Sequence, residues 1–436
     1  MKLNELKYPK MKQLLSVLLL LISLTGFSQD ILVLELPECI EKALSNHPKY
    51  RDSVYITEIT RLKKQNVRTG LYPRVDINAK AQYLSDVTNI GVESPIPGLE
   101  FPTPQNDQYN LSLDVSQVIY DGGIIRSQED LAQLSGMVDN QQLKVELYQI
   151  RERVNVLFFN VLFLQQKSEL IKSAAGLLLE KRKEISSAVD NGLITQSDLH
   201  LLDAEILKLN QQFSEVSFGV SSGIQVLEVY MDTLLPGNIL LSKPKLEVNY
   251  SGLIKRPEYP LFDYQLKQLS INDNLLEASK RPKISGFGQV GYGRPGLNYL
   301  NDEFDSFYII GARFTWNIWD WNKTRREREQ IALRKNLVAS QKNTFDENLY
   351  ILLSRARKEI RKWQVMIERD LDIIELTSKV VKTSESRLEN GVITTADYIN
   401  DLHREIQARI DMELHEIRLI ESKTKYMTLK GMPLRH

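Results

Sequence analysis

A chain of 436 residues exceeds one ordinary globular domain, so two domains or one elongated repeated structure is the starting expectation. Lysine plus arginine and aspartate plus glutamate each number 56, which leaves no net basic field to recruit nucleic acid. The lone cysteine, Cys39, has no internal disulfide partner and reads as a buried, inert thiol.

At the N-terminus, Lys2, Lys7, Lys10 and Lys12 precede the apolar run LLSVLLLLISL, Leu14 to Leu24, and the small-residue segment TGFSQD. Residues 1–28 are therefore expected to be a secretory signal peptide cleaved after Ser28, because that apolar core falls short of the ~20 residues that span a bilayer. The densest later stretch, VNVLFFNVLFL from Val154 to Leu164, is short and broken by Asn155 and Asn160. If such an exported chain enters a membrane, it does so with strands.

The remainder is written twice. NGLITQSDL, Asn191 to Leu199, returns 199 residues later as NGVITTADY, Asn390 to Tyr398, and IYDGG, Ile119 to Gly123, returns at the same offset as IWDWN, Ile318 to Asn322. Upstream, NHPKY and LYPRV match KRPEY and KRPKI at an offset of 209, and the loop SPIPGLEFPTPQ of the first copy accounts for the difference. Two structural repeats follow, 29–240 and 241–436. Each is expected to hold a helix, a β-hairpin (about 73–118 and about 282–319) and a long helical hairpin with its tip at 191–195 or 390–394.

In the first β-hairpin Val75, Ile77, Ala79, Ala81 and Tyr83 alternate with polar residues, and Leu111, Leu113 and Val115 do the same. The second repeats this in Ile284 to Tyr292 and in Tyr308, Ile310, Ala312, Phe314 and Trp316. Alternation alone fits a soluble sandwich or a membrane barrel. Trp316, Trp319 and Trp321, followed by Lys323, Arg325 and Arg326, have the composition of a membrane-interface belt.

From Asp121 to Asn191 and from Asp320 to Asn390 no proline occurs, and continuous helix over such a tract runs about 105 Å. The second tract has a seam of Leu353, Ala356, Ile360, Trp363, Ile367, Leu371 and Ile374; the first has Val154, Leu157, Val161 and Leu164, weakening at Ser168. The repeated turns are the far tips, each sending the chain back along its helix. Gly192 and Gly391 suit positive φ just past a helix end, Thr195 and Thr394 suit the next N-cap, and Asp198 and Asp397 lie near its positive pole.

GFGQVG, Gly286 to Gly291, satisfies a dinucleotide-binding pattern but lies inside an alternating strand. The five histidines have no metal-ligand spacing, and no catalytic constellation is legible, so neither enzyme activity nor a cofactor is expected.

Taken together, LPECIEKALSNHP (Leu36 to Pro48), VSQVIYDGG (Val115 to Gly123) and the tip ENGVITTADYI give a chain that resembles the TolC family of outer-membrane efflux proteins across its mature length. The resemblance implies a mainly α fold with β: tandem repeats of long antiparallel helical hairpins, and four strands per chain in a homotrimeric twelve-stranded barrel. Four strands alone cannot close one. It implies an outer-membrane channel reaching into the periplasm, the exit duct of a tripartite efflux pump or type I secretion system. Its partners would be outer-membrane lipid, a periplasmic adaptor and an inner-membrane RND or ABC transporter. The implied adaptor-docking tips are Gly192, Leu193, Ile194 and Thr195 with Gly391, Val392, Ile393 and Thr394. The implied constriction is Asp397 and Asn400 with Asp401 beside them, where threefold repulsion would raise the Asp397 pKa. Ser197 and Asp198 are the implied gate contacts, while Leu388 and Ile393 stand where a well-known member has a latching tyrosine and arginine, and Arg387 lies close by. The rival reading is a periplasmic hairpin adaptor or scaffold without a channel.

Overall fold

The computed structural model describes residues 32–88, 103–192, 194–236, 239–299 and 302–434. The expected signal peptide, most of the loop SPIPGLEFPTPQ, and Leu193 lie outside the described residues.

In the first repeat β1 (Leu32–Leu34) is followed by helices α1 (Leu36–Ser45) and α2 (Asp52–Arg68), which lead into β2 (Arg74–Tyr83) and β3 (Asp107–Tyr120). Helix α3 (Ile124–Asp190) then runs to the first tip and α4 (Gln196–Met231) returns. The chain then continues through β4 (Ile239–Leu241), α5 (Glu258–Ser279), β5 (Lys283–Arg294), β6 (Asp305–Thr315), α6 (Lys323–Glu389) and α7 (Thr395–Lys430), the same order with a single helix ahead of the strands. Strand β6 stops at Thr315, so Trp316 lies just beyond the sheet.

The repeated aspartates are the switch from strand to helix. Asp121 accepts hydrogen bonds from the backbone N–H groups of Gly123 (2.8 Å) and Ile125 (2.6 Å), and Asp320 accepts from Thr324 N–H (3.0 Å) and from the Thr324 hydroxyl. Each carboxylate thereby satisfies donors that the first helical turn leaves unmatched. The turn itself needs left-handed backbone. Gly122 (φ +74°) and Gly123 (φ +92°) supply it in the first copy, whereas Trp321 (φ +53°) and Asn322 (φ +59°) adopt it in the second. A Cβ on Gly122 would lie 2.8 Å from the Ala278 carbonyl, a close approach that requires glycine.

Helices α3 and α6 are both 67 residues long, about 100 Å each. The return helices have only 36 residues, about 54 Å, so the tips do not send the chain back along the full length as expected. Beyond the return helices the long rods have other companions: α2 and α5 pack on α3, and α5 also packs on α6. The break between repeats is secured by β1, which pairs in parallel with β4 (Leu32 opposite Ile239). Beneath that pair Leu34, Cys39, Val154, Phe158, Leu162, Leu227 and Met231 form one buried cluster. Burial, and secondarily Glu38, pushes the Cys39 thiol up to about 12, which makes it inert as expected.

The expected seams need two corrections. On α6 Leu371 is 54% exposed, and the buried position is Asp370, whose Oδ2 lies 2.6 Å from His415 Nδ1 on α7 while Trp363 stacks on the same imidazole. Ile367 to Asp370 and Asp370 to Ile374 are steps of three and four, so the helical period admits Asp370 as readily as Leu371. On α3 the seam does not weaken at Ser168 but continues through Ile171, Ala174, Leu178, Lys181 and Ile185.

The four long strands make one antiparallel sheet in the order β2-β3-β5-β6, in which the β3–β5 pairing joins the repeats. Register aligns apolar residues in rows: Val75, Val115, Gly288 and Ile310, then Ile77, Leu113, Val290 and Tyr308. Among the described residues nothing covers this face; Ile77, Tyr308 and Ile310 are all at least 73% exposed. On the opposite face Asp114 accepts from Asn78 Nδ2 (2.6 Å), Gln289 Nε2 (2.7 Å) and Ser112 Oγ (2.9 Å). Two glycines of that face are close-approach sites: a Cβ at Gly291 would strike the Phe307 ring, and one at Gly311 the Phe287 ring. This is the strand role of the GFGQVG glycine at 291.

Candidate functional site: hairpin tips and junction collar

The two tips are built alike. At the end of α6, Gly391 N–H donates to Leu388 O (3.0 Å) and Val392 N–H to Arg387 O (2.8 Å), the Schellman arrangement with glycine at φ +68°. At the end of α3, Gly192 (φ +72°) donates to Val189 O at 2.9 Å. Each return helix opens with a capping box. The Thr195 hydroxyl donates to Asp198 Oδ2 (2.6 Å), which also accepts Thr195 N–H (3.3 Å). Thr394 and Asp397 repeat this at 2.7 and 3.0 Å, with Asp397 N–H donating back to the Thr394 hydroxyl at 3.2 Å.

These bonds set the carboxylate electrostatics. The Thr394 hydroxyl, then its N–H, then the charge of Arg387 hold Asp397 below the usual aspartate range. Within one chain this direction is opposite to that expected from a threefold ring. Asp198 is likewise lowered, mainly by the Thr195 hydroxyl, with Thr395 of the other tip adding to the effect.

Asn400, Val392, Ser197 and Gly192 are exposed, and Ile194 is half-buried. Asp401 is turned away from them, into the seam, where it accepts a hydrogen bond from the buried Ser384 hydroxyl and lies 3.6 Å from Arg404. Leu388 is buried and Ile393 packs on the same cluster, which includes Ile185, Leu199, Leu202, Tyr398 and Leu402. Those two positions hold an apolar contact within the chain.

Three polar ties that the sequence reading missed join or stiffen the hairpins. Lys181 of α3, only 4% exposed, reaches Glu184 (2.6 Å), Glu389 (3.1 Å) and Glu385 (3.2 Å), the last two on α6. Burial works against its ammonium, but the hydrogen bonds it donates to Glu184, Glu389 and Glu385 outweigh that and push the amine above the ordinary lysine range. His403 Nε2 of α7 lies 2.7 Å from Glu205 Oε1 of α4, and Asp370 meets His415 within the second hairpin. A charged residue in register with an apolar seam, as at Lys181 between Leu178 and Ile185, was the available signal.

At the other end of the rods Trp316 (Nε1 donating to Lys280 O, 3.0 Å), Trp319 and Trp321 stand exposed just past β6, the last two edge-to-face at 5.9 Å. Among the described residues no cluster of metal-ligating side chains occurs, and no helix is long and apolar enough to cross a membrane.

The chain aligns over nearly its whole length with several solved proteins. The outer membrane protein VceC of Vibrio cholerae matches with a TM-score of 0.67 at 13% identity, covering 92% of this chain and 97% of that one. The Neisseria gonorrhoeae MtrE outer membrane channel in its open state matches with 0.66 at 17%, covering 92% and 89%. The Campylobacter jejuni CmeC outer membrane channel matches with 0.65 at 14%, covering 91% and 85%. The fold is that of the TolC-like outer-membrane channels. Neither a protein-family model nor a curated protein matches the sequence, so at these identities the shared property is the fold. In that TolC-like fold the described sheet and rods correspond to the parts the sequence reading expected, mainly α with one four-stranded antiparallel sheet.

Proposed function

We propose that this chain is one protomer of a trimeric outer-membrane channel continued by a helical tunnel into the periplasm. It serves as the passive exit duct of a tripartite efflux pump or type I secretion system. The observation that carries this reading is the sheet: one face is apolar and uncovered, and among the described residues neither β2 nor β6 has a second strand partner. A sheet of this kind in an aqueous compartment would expose a large apolar patch and two edges, both aggregation hazards. Three copies joined edge to edge leave no edge and present the apolar rows to lipid. Trp316, Trp319 and Trp321 then lie at the periplasmic interface of the outer membrane.

In this reading the rods form the tunnel wall and the tips are its far end. Gly192, Ile194, Thr195, Gly391, Val392, Ile393 and Thr394, with Leu193 between them, meet a periplasmic adaptor that links the duct to an inner-membrane RND or ABC transporter. Asp397 and Asn400 ring the constriction, and Ser197 and Asp198 contribute to its gate. Asp401, engaged by Ser384, takes a smaller share. Conductance of the purified trimer in a planar bilayer is the test. Discrete openings are expected, with Asp397→Asn weakening block by divalent cations. A water-soluble monomer without conductance would overturn the reading.

A further inference from the structure

Register sorts the charges of the sheet. The polar face carries Arg74, Asp76, Lys80, Asp114, Lys283 and Arg313, with Asp305 at its outer end. The two inner carboxylates are occupied: Arg74 Nε lies 2.8 Å from Asp76 Oδ2, and Asp114 accepts from Asn78, Ser112 and Gln289. Lys283 and Arg313 differ. Both are exposed at the helix-side end, and among the described residues neither has a carboxylate within ion-pair distance. Lys283 lies opposite Thr315 and Arg313 opposite Ser285, which makes the two cations diagonal neighbours about 7–8 Å apart at their positions on the strands. The Arg313 guanidinium rests 5.5 Å from the Phe287 ring centroid.

We propose that Lys283 and Arg313 form a cationic band at the inner mouth of the barrel, which concentrates anions and favours anionic cargo. This rests on the channel reading above, in which the polar face lines the lumen and three chains bring three copies of each charge to one level. At 0.1 M salt the Debye length is about 10 Å, so neighbours at this spacing act as one field. Rings of Lys or Arg select anions by this means. The band lies at the opposite end of the duct from Asp397, so the two ends carry opposite charge preferences.

The test is block of the trimer in a planar bilayer at 0.1 M salt by inorganic tripolyphosphate added on the barrel side. The double variant Lys283→Gln/Arg313→Gln is expected to weaken block by roughly fivefold or more. Arg313→Lys retains it, and Lys323→Gln, outside the sheet, leaves it unchanged. Unchanged block in the double variant overturns the band while leaving the channel intact. Where the double variant does not assemble, Arg313→Gln alone decides by the same criterion. No conductance from the wild-type trimer removes the channel reading, and the band with it.

Discussion

Helices α3 and α6 have the same length, the same aspartate start and the same glycine end, yet α3 buries 18 residues and α6 only nine. The 199-residue offset explains the gap. Phe158, Phe159 and Leu162 of α3 sit in the buried cluster under β1 and β4, and their equivalents on α6 are Arg357, Lys358 and Arg361. Val161 and Ile360, also equivalent, are both buried. Helix α3 is enclosed by α1, α2, α4, α5 and α7, whereas α6 packs on α5 and α7. A repeated backbone therefore carries two packing roles. Helix α3 is the core of the chain, and α6 keeps an outer face with Leu333, Leu337, Ile373, Leu376 and Val380 exposed, which in the proposed trimer meets the next copy.

The sharpest way to break this contrast is to truncate equivalent positions. Leu162→Ala is expected to cost about 3–5 kcal/mol in chemical denaturation, and Arg361→Ala to stay within about 0.5 kcal/mol of wild type. Equal losses would mean that α6 is as enclosed as α3. Lys181→Met, which removes the tie between the rods, comes next at about 1–2 kcal/mol. Its partner glutamates are half-exposed, so the loss stays below that of a fully buried pair. Faster amide exchange in α6 near Glu385 is the accompanying readout, and exchange unchanged there would show the tie to be idle.

The tips are where the two repeats should agree. Gly192→Ala and Gly391→Ala are each expected to lower stability by about 1 kcal/mol, since both glycines hold positive φ with open space around the missing Cβ. A clear inequality in thermal denaturation would separate the tips. The smallest effect is in pH. Asp198 and Asp397 are both lowered, so their capping is fully present above the ordinary aspartate value of about 3.9 and is lost as pH falls through the lowered values. Protection of the Thr195 and Thr394 amides, measured relative to their intrinsic exchange rates, should be flat from about pH 5 to 8 and fall together in acid. Earlier fraying of the second tip in the trimer alone would reveal repulsion among three copies of Asp397.

Much of the fold was legible because it rests on local rules. Asp121 and Asp320 were visible as a repeated landmark, Gly192 and Gly391 as left-handed turn residues, and Thr195 and Thr394 as caps. The candidate site was less legible. Asp401 follows Asn400 directly in sequence but belongs to the seam, where Ser384 engages it, because one step along a helix turns a side chain by about 100°. Asp370 and Lys181 were missed because a seam was sought among apolar residues, whereas each polar group is retained by a partner distant in sequence: His415 for one, Glu385 and Glu389 for the other.

By itself the sequence determined the duplicated plan, the alternating strands, the uninterrupted rods and the chemistry of their ends, since each depends on backbone hydrogen bonds and φ preferences set within a few residues. Only the tertiary structure decided that β3 pairs with β5 to make one sheet of two repeats, that its apolar rows stay uncovered, and which residue at each helical step turns inward. Those outcomes depend on burial and pairing between segments far apart in the chain, where local periodicity admits more than one answer and packing selects among them.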